Sequence, residues 1–458
     1  MLVAGIVCCT GDVDTLICRK AHNSNQIYSL TMTRIIKLCA IFYCGVAFAN
    51  SHVLGEPLPT KTSNLTNQTI ILAKDGKAGD SFGYSAAIDG TTILVGAFKA
   101  DIDNTTDAGA AYVFVEGGKG QYQNGWHQQA KLVAEPAFAE DTLGGKVALN
   151  GDIAMLGVMR RDDKGKDAGA VVSFERTLSN WRQTQIITAP DAKPGDAFGQ
   201  SIALTDKYLV IGAPRNDALG KDSGAAYIFL REHNTWRYQA KIKANDGVAG
   251  DLFGISVAID GNTMLVGADL HDAKAENAGA VYVYRFDDNQ WQQEAKLMAS
   301  DGGKTDIFGV RVAISGDTAL ISARRDDIDS LGVDAGSAYI FVREGKTWTE
   351  QVKLTSPDGY ADDRFGRGVA LSGDTAIISA MNHDANGTDT GAAYVYKKGQ
   401  NGWGYANKIM AKHSMAGDRF GWNLDLSDGV AVITTPYHAA NGNESGAVFI
   451  QELKPTAK

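Results

Sequence analysis

The sequence has little of what holds small exported domains together or fixes a chain in a membrane. Its 458 residues include five cysteines, all within the first 44 positions, and only nine prolines. No apolar run reaches the ~20 residues that a membrane-spanning helix needs. Positively charged residues are fewer than negatively charged ones: there are 44 Lys and Arg and 53 Asp and Glu, which gives a net charge of -9. These shortages argue against a disulfide scaffold, a membrane span in the mature chain and a nucleic-acid partner.

Glycine, by contrast, is abundant, with 52 residues, and 44% of the chain is hydrophobic. This composition is typical of an ordered all-β protein with many turns and argues against disorder. The chain is long enough for one large domain or for two to three ordinary ones.

The N-terminal part has the features of a targeting segment. Arg34 and Lys37 precede an apolar stretch from Leu38 to Phe48, and Ala47-Phe48-Ala49 fits a signal-peptidase site. A short buried strand is the alternative interpretation of the apolar stretch. We expect an upstream extension over residues 1–31, a signal peptide over 32–49 and a linker over 50–66.

Cleavage after Ala49 would leave a mature chain without cysteine. An exported protein without disulfides must be stabilised by its core alone, which favours a large closed architecture. We therefore expect a secreted, periplasmic or cell-surface protein, and we expect it to be a monomer.

A phrase of the form D-x-[F/L]-G recurs seven times. Its glycines are spaced by 61, 55, 55, 55, 57 and 55 residues, and they are Gly83, Gly144, Gly199, Gly254, Gly309, Gly366 and Gly421. Such regularity over most of the chain indicates a repeat architecture.

Each repeat contains four short runs rich in β-branched and aromatic residues, which predict strands. In the fourth repeat they are ISVAI, MLVGA, AVYVY and QQEAKLMA. Tight turns such as Asp260-Gly261 join the first two runs, as in β-hairpins. Four antiparallel strands per repeat and a period near 55 residues predict an all-β, seven-bladed propeller over residues 67–452, with a short tail over 453–458.

The two ends of the repeat region complement each other. Six repeats finish with a tryptophan-led fourth strand, but the seventh stops after GAVFIQEL. The missing strand is matched by NQTIILA at residues 67–73. An N-terminal strand that completes the last blade would close the ring and remove its open edge.

The D-x-F-G phrase, followed by a strand that ends in Gly212-Ala213-Pro214 or a variant of it, resembles the FG-GAP repeat. The resemblance implies the seven-bladed propeller of integrin α-subunits and of many exported bacterial proteins. In integrin-type repeats a calcium loop often separates the first two strands. Only a tight turn stands there in this sequence, so those calcium sites do not carry over.

Both sets of loops on one face of the predicted propeller are acidic. These are the loops between strands two and three of a blade (2–3 loops) and those that enter the next blade (4–1 loops). Their aspartates either bind a cation or a basic partner, or accept backbone hydrogen bonds in tight turns. For the repeated D-x-F-G aspartates we favour turn chemistry. For the 2–3 loops calcium stays an alternative, and no other cofactor and no further metal site is expected. The 2–3 loops begin with Asp101, Asp162, Asp217, Asp272, Asp327 and Asp384.

Binding residues are expected where the repeat changes. The position after the D-x-F-G glycine carries Tyr84, Arg367 and Trp422 in blades one, six and seven, which are neighbours once the ring closes. Blade seven also starts its 2–3 loop with Tyr437 and His438. Aromatic rings beside an arginine form a platform for a sugar or a peptide. Ordinary variation in the channel lining is the competing interpretation.

No catalytic residue can be assigned. His271, His383 and His438 share one register, which favours a structural role, and no P-loop, HExxH or GxSxG motif occurs. We expect an exported, non-enzymatic adhesion module that engages a protein or glycan through the acidic loop face. One alternative is a propeller-type polysaccharide lyase, in which His438 would neutralise the substrate and Tyr437 or Tyr84 would transfer protons. A structural scaffold of a surface assembly is the other.

Overall fold

The computed structural model describes residues 7–10, 16–20, 28–30, 68–117 and 125–453. The first three segments form an antiparallel sheet of β1 (Val7–Thr10), β2 (Leu16–Lys20) and β3 (Tyr28–Leu30) within a separate unit over residues 1–61. The predicted signal peptide over 32–49 and linker over 50–66 lie outside the described residues. Among those residues no helix is long and apolar enough to cross a membrane.

The described residues from 68 to 117 and from 125 to 453 form seven four-stranded antiparallel sheets, which confirms the predicted propeller blades. The blades begin with β5 (Phe82–Asp89), β9 (Lys146–Asn150), β13 (Ser201–Leu204), β17 (Ser256–Asp260), β21 (Arg311–Ser315), β25 (Phe365–Ser372) and β29 (Leu424–Ser427). Second strands are β6 (Thr92–Ala97), β10 (Ile153–Val158), β14 (Tyr208–Ala213), β18 (Thr263–Ala268), β22 (Thr318–Ala323), β26 (Thr375–Ala380) and β30 (Val430–Thr435). Third strands are β7 (Ala110–Glu116), β11 (Ala170–Thr177), β15 (Ala225–Glu232), β19 (Ala280–Asp287), β23 (Ser337–Glu344), β27 (Ala392–Gly399) and β31 (Ala447–Glu452). Fourth strands are β8 (Trp126–Leu132), β12 (Asn180–Ile187), β16 (Thr235–Ile242), β20 (Gln290–Leu297), β24 (Thr347–Leu354), β28 (Gly402–Ile409) and, from the N-terminal side, β4 (Gln68–Ile71).

The first strands of neighbouring blades contact one another around the whole ring and therefore surround the central channel. The second and third strands carry the core. In β14, for example, every residue from Tyr208 to Ala213 is buried. Apolar side chains from adjacent blades pack face to face, as Met155 of blade two does with residues of blade three such as Ile211. A blade on its own would leave both of these faces in water, so the blades are stable only as a ring.

The D-x-F-G phrase joins each blade to the one before it. In blade four, Leu252 and Phe253 donate backbone hydrogen bonds to Asp222 and Ser223 of blade three, and Gly254 donates to Gly267 within its own blade. The Phe253 ring is fully buried and lies edge-on to Tyr282, with 5.4 Å between ring centroids. The phrase therefore serves the contact between blades.

The glycine of the phrase is required by this close approach. Gly254 has a φ of +94°, and a Cβ at this position would lie 2.4 Å from the carbonyl oxygen of Ala225 in blade three. A side chain would force the two blades apart. The turn glycine Gly261 in the same blade has a φ of +54° and open space around it, so it meets only the backbone requirement of the hairpin.

The last blade closes the ring as the sequence predicts. β4 pairs with β31, with Ile71 opposite Val448, so the N-terminal strand is the outer strand of blade seven. Phe82 of blade one in turn bridges to Gly446 of blade seven. Blades seven and one are therefore joined by the same blade-to-blade contact as the others.

A ladder of side chains reinforces this junction at the channel. Asn423, Asp425 and Ser427 of blade seven accept hydrogen bonds from the backbone N–H groups of Ala86, Ile88 and Gly90 of blade one, at 3.0, 2.8 and 3.1 Å. The position of Asp425 is occupied by alanine in the other six blades. The N–H groups on the channel side of β5 would otherwise lack a partner in the protein. The ladder supplies acceptors for three of them at the junction of blades seven and one.

We predict that Gly254→Ala lowers the free energy of unfolding by ~3 kcal/mol or more, because the new Cβ would overlap the Ala225 carbonyl. Gly261→Ala is the matched control. It should cost about 1–2 kcal/mol, since an alanine there only adopts a left-handed conformation. Denaturant unfolding followed by tryptophan fluorescence measures both. Equal losses for the two variants would show that the blade contact does not require the glycine.

Candidate functional site

The aromatic residues predicted to form a platform do meet at the mouth of the channel. The rings of Tyr84 and Trp422 lie 5.6 Å apart between centroids, and Trp422 lies edge-on to Tyr437 at 5.2 Å. Phe98 extends the group, with its ring centroid 4.0 Å from that of Tyr84. Blades one and seven supply these four rings, which we call the aromatic platform.

Arg367 of blade six completes the site. Its guanidinium carbon lies 4.0 Å from the centroid of the Trp422 ring, a cation–π contact. The pairing of β5 with β6 and of β25 with β26 is interrupted around Tyr84 and Arg367, so both residues lie in bulges. Such bulges redirect a side chain away from the regular face of a strand.

Arg367 is buried, with 7% of its surface exposed, and its Nε has no hydrogen-bond acceptor. It forms no salt bridge with any residue that the structure describes. Burial, together with the charges of Arg311 and Arg324, holds the pKa of Arg367 well below its usual range. Guanidinium groups nevertheless stay charged in proteins, so this is a buried cation without a counter-ion.

His438, the fifth predicted site residue, has another environment. Its Nδ1 lies 2.9 Å from a carboxylate oxygen of Asp418, the D-x-F-G aspartate of its own blade. His271 and His383 make the same contact with Asp251 and Asp363, at 2.9 and 2.7 Å. In all three blades the histidine thus contacts the D-x-F-G aspartate of its own blade, an arrangement that recurs as a structural role would require.

The acidic loops are occupied by contacts within the protein. Each D-x-F-G aspartate accepts the backbone N–H three residues before it, as Asp251 does from Val248 at 2.8 Å. The aspartates of the 4–1 loops pair with a lysine of the following fourth strand, as Asp246 does with Lys296 at 2.5 Å. In blades one to six, the aspartate that begins the 2–3 loop accepts a backbone N–H near the end of that loop, as Asp217 does from Asp222 at 2.9 Å. Turn chemistry therefore accounts for the D-x-F-G aspartates, as expected.

Two basic residues of the channel were missed by the sequence analysis. The second position after the D-x-F-G glycine carries Ser85, Ser201 and Ser256, whose hydroxyls donate to a glycine carbonyl of the next blade. In blades two and five this position carries Lys146 and Arg311 instead. The signal was the same as for the platform, a departure from the repeat, one position further along the strand.

Lys146 and Arg311 share one cavity with Arg367, Trp422 and Tyr84. Burial and the charges of Arg311 and Arg367 lower the pKa of Lys146 to about 8, although Asp425 acts in the opposite direction. Burial also lowers the pKa of Arg311. The cavity is therefore lined by three cationic side chains, those of Lys146, Arg311 and Arg367.

Further basic residues surround the mouth. Burial and the charges of Arg311, Arg325 and Arg364 lower the pKa of Arg324 to about 10. Arg419 lies over the ring of Tyr437, with 5.4 Å between its guanidinium carbon and the ring centroid. The face therefore combines a basic centre with a belt of aspartates that are already paired.

The channel cavity has a volume of about 190 Å³. A second cavity of about 520 Å³ lies among the loops of blades two and three, where the bases Arg160, Lys166 and Arg215 and the acids Glu140, Asp162 and Asp167 line it. Met159 and Gln200 line both cavities, which are therefore adjacent. Across the described residues, no group of three or more His, Cys, Asp or Glu side chains is arranged to hold a metal ion.

A model of the FG-GAP repeat matches the sequence seven times, at residues 65–114, 126–172, 181–229, 236–284, 291–341, 348–396 and 403–451. These segments cover most of the chain. The chain belongs to the FG-GAP repeat family. The D-x-F-G phrases are therefore part of the repeat that builds the fold. Binding sites of this FG-GAP protein are expected at positions where its repeats differ from one another.

Solved structures with a similar backbone include two proteins provisionally named 6-phosphogluconolactonases. The one from Bacteroides fragilis has a TM-score of 0.47 and 10% sequence identity, and the alignment covers 72% of this chain and 85% of that protein. The one from Bacteroides uniformis has a TM-score of 0.49 and 11% identity, over 72% and 86% of the two chains. Neither likeness is close enough to bear on the function of this chain. No curated protein sequence matches this one.

We predict that replacing the six loop-start aspartates by asparagine leaves the free energy of unfolding within about 1 kcal/mol, because asparagine keeps an acceptor for the loop N–H. Replacing all six by alanine should cost ~3–6 kcal/mol, at roughly 0.5–1 kcal/mol for each lost bond. Thermal and denaturant unfolding with and without calcium provides the measurement. A melting temperature that rises with calcium in the wild type and not in the asparagine variant would instead assign these aspartates to a cation.

Proposed function

We propose that this protein is an exported, non-enzymatic binding module that engages a glycan at the mouth of its channel. The observation that carries the proposal is the aromatic platform of Tyr84, Phe98, Trp422 and Tyr437, with Arg367 packed on Trp422. Flat aromatic faces bind the apolar faces of sugar rings, and a fixed guanidinium gives the site a polar anchor.

Departure from the repeat supports this site. Residues that serve the fold recur in each blade, like the D-x-F-G glycines or the lysines that pair with the 4–1 aspartates. The platform residues do not recur, and they come from blades that become neighbours only when the ring closes. A structural requirement common to all blades therefore does not explain them.

The aspartates of the 2–3 and 4–1 loops are a weaker candidate for the ligand-binding surface than the mouth of the channel. The 4–1 aspartates that form salt bridges are paired with lysines of the fourth strands, and the 2–3 aspartates accept backbone hydrogen bonds. Carboxylates that already have partners offer less to a cation or a basic protein. For this reason we assign the ligand to the basic and aromatic centre of the face.

One observation favours the lyase alternative and another argues against it. An anionic polymer needs a basic cleft, which the channel mouth supplies. The histidine that would act there, His438, is hydrogen-bonded to Asp418 in the arrangement shared by blades four and six. Release of unsaturated sugar products from a bound acidic polysaccharide would favour the lyase over the binding module.

The test of the platform uses substitutions taken from the other blades. Trp422→Ile introduces the residue of blade four and Arg367→Gln that of blade three, so both variants should fold. In a glycan-array screen of the full chain, followed by calorimetry on the glycans bound, we expect each variant to bind at least tenfold more weakly, about 1.4 kcal/mol.

Tyr238→Ala, which removes an exposed aromatic ring from an outer strand, is the matched control and should bind like the wild type. Unchanged affinity in the Trp422 and Arg367 variants would place the ligand elsewhere. A screen in which no glycan binds would leave the scaffold alternative as the better account.

Export is the second part of the proposal and depends on the N-terminal segment. When the gene is expressed in a bacterial host, we expect the mature protein in the periplasm or medium, with Asn50 as its first residue and no titratable thiol. N-terminal sequencing and a thiol assay under denaturing conditions measure this. A protein that retains Cys39 and Cys44 in the cytoplasm would contradict export.

A further inference from the structure

We infer that the channel beneath the platform binds an anionic group, so that the ligand is a glycan whose terminal sugar carries a carboxylate or a sulfate. This inference rests on the proposed glycan-binding function and specifies its ligand. It is carried by three cationic side chains, Lys146, Arg311 and Arg367, that line one small cavity.

The three cations come from three different blades and each replaces another residue type. Serine occupies the register of Lys146 and Arg311 in blades one, three and four, where its hydroxyl bonds to the next blade. Replacing that serine by a long cation gives up a hydrogen bond that holds two blades together. Such a loss at two positions facing one cavity is expected where the charge itself is used.

The charge in the cavity is not neutralised by the protein. Among the described residues, none of the three side chains forms a salt bridge. Arg311 donates a hydrogen bond only to the carbonyl of Val310, at 2.8 Å. The Nε of Arg367 has no acceptor although the residue is more than nine-tenths buried. Leaving a buried cation unpaired is costly, and an anion in the cavity would relieve that cost.

Two buried carboxylates act electrostatically on the cluster, Asp425 on Lys146 and Asp269 on Arg311, but they do not provide that anion. Asp425 accepts hydrogen bonds from the backbone of Ile88 and Leu426, and burial raises its pKa. Asp269 is buried with one oxygen lacking a partner, and burial raises its pKa to about 6. Both groups therefore compensate less charge than three cations carry, and the cluster keeps a net positive charge.

The size of the channel cavity favours a single sugar, the terminal one of the glycan. A cavity of about 190 Å³ is smaller than the ~300–1,000 Å³ of sites that enclose a drug-sized molecule. One charged sugar can therefore enter, with its ring against Trp422 and its anionic group toward Arg367. The rest of the glycan would lie over the neighbouring cavity of blades two and three, where basic and acidic side chains are present in equal number.

The experiment compares charged and neutral sugars on variants that restore the repeat. Lys146→Ser and Arg311→Ser introduce the serine of blades one, three and four, and their hydroxyls can form the missing bond between blades. Arg237→Ser, on an exposed outer strand, removes one positive charge far from the channel and is the control. The probes are trigalacturonate, galactose 6-sulfate, galactotriose and a hexaglutamate peptide, with calorimetry at two salt concentrations.

We expect an anionic sugar to bind at least tenfold more tightly than galactotriose, and each channel variant to lose about tenfold of that affinity. The control variant should keep it, and galactotriose should be unaffected by all three substitutions. A preference between trigalacturonate and galactose 6-sulfate tells whether the group is a carboxylate or a sulfate.

Each of the other possible outcomes would overturn a different part of the inference. If neutral and anionic sugars bind alike and Trp422→Ile weakens both, the platform stands and the anion site is wrong. If hexaglutamate binds as tightly as the anionic sugars and depends on the same two cations, the ligand is an acidic peptide and the assignment to a glycan is wrong. If none of the four probes binds, both the glycan function and its anionic specificity fail. Circular dichroism and melting curves of the serine variants verify that they are folded.

Discussion

The contact between the D-x-F-G segment of one blade and the end of the 2–3 loop of the preceding blade is the constraint on which the structure depends. It places the backbone of Gly254 against that of Ala225, seats the Phe253 ring between two sheets and recurs at the closure of the ring through Phe82 and Gly446. Since no blade can bury its two faces alone, these contacts convert seven small sheets into one cooperative core. The absence of cysteine beyond residue 44 fits this account, because the closed ring needs no covalent link.

The same contact determines where function can arise. It uses the part of the repeat that recurs in every blade for the fold, and it brings the first strands together around a channel. The free positions are then the channel-facing residues that follow the glycine. In this chain they have become a tyrosine, an arginine and a tryptophan in adjacent blades, with a lysine and a second arginine one register on. The acidic residues that dominate the loops by number are structural in the contacts described, whereas the three basic residues of the channel cavity form no salt bridge within the described part of the chain.

The sequence was sufficient to predict the architecture because the repeat makes seven copies of one set of strand and turn signals. The pairing of β4 with β31 followed from a strand missing at one end and present at the other. The meeting of Tyr84, Arg367 and Trp422 could also be predicted, because ring closure makes their blades neighbours. Lys146 and Arg311 were missed because their significance depends on the distance across the channel, and residues in blades two and five are not adjacent along the ring. The neutralisation of Asp246 by Lys296 was likewise hidden, since the lysine lies 50 residues further along the chain.

The most direct measurement is a crystal structure of the full mature chain soaked with galacturonic acid. The account predicts density for one sugar in the channel, its ring against Trp422 and its carboxylate within hydrogen-bond distance of Arg367, with the outer loops unoccupied. Density only at the aspartates of the 2–3 and 4–1 loops, with solvent alone beside Arg367, would contradict it.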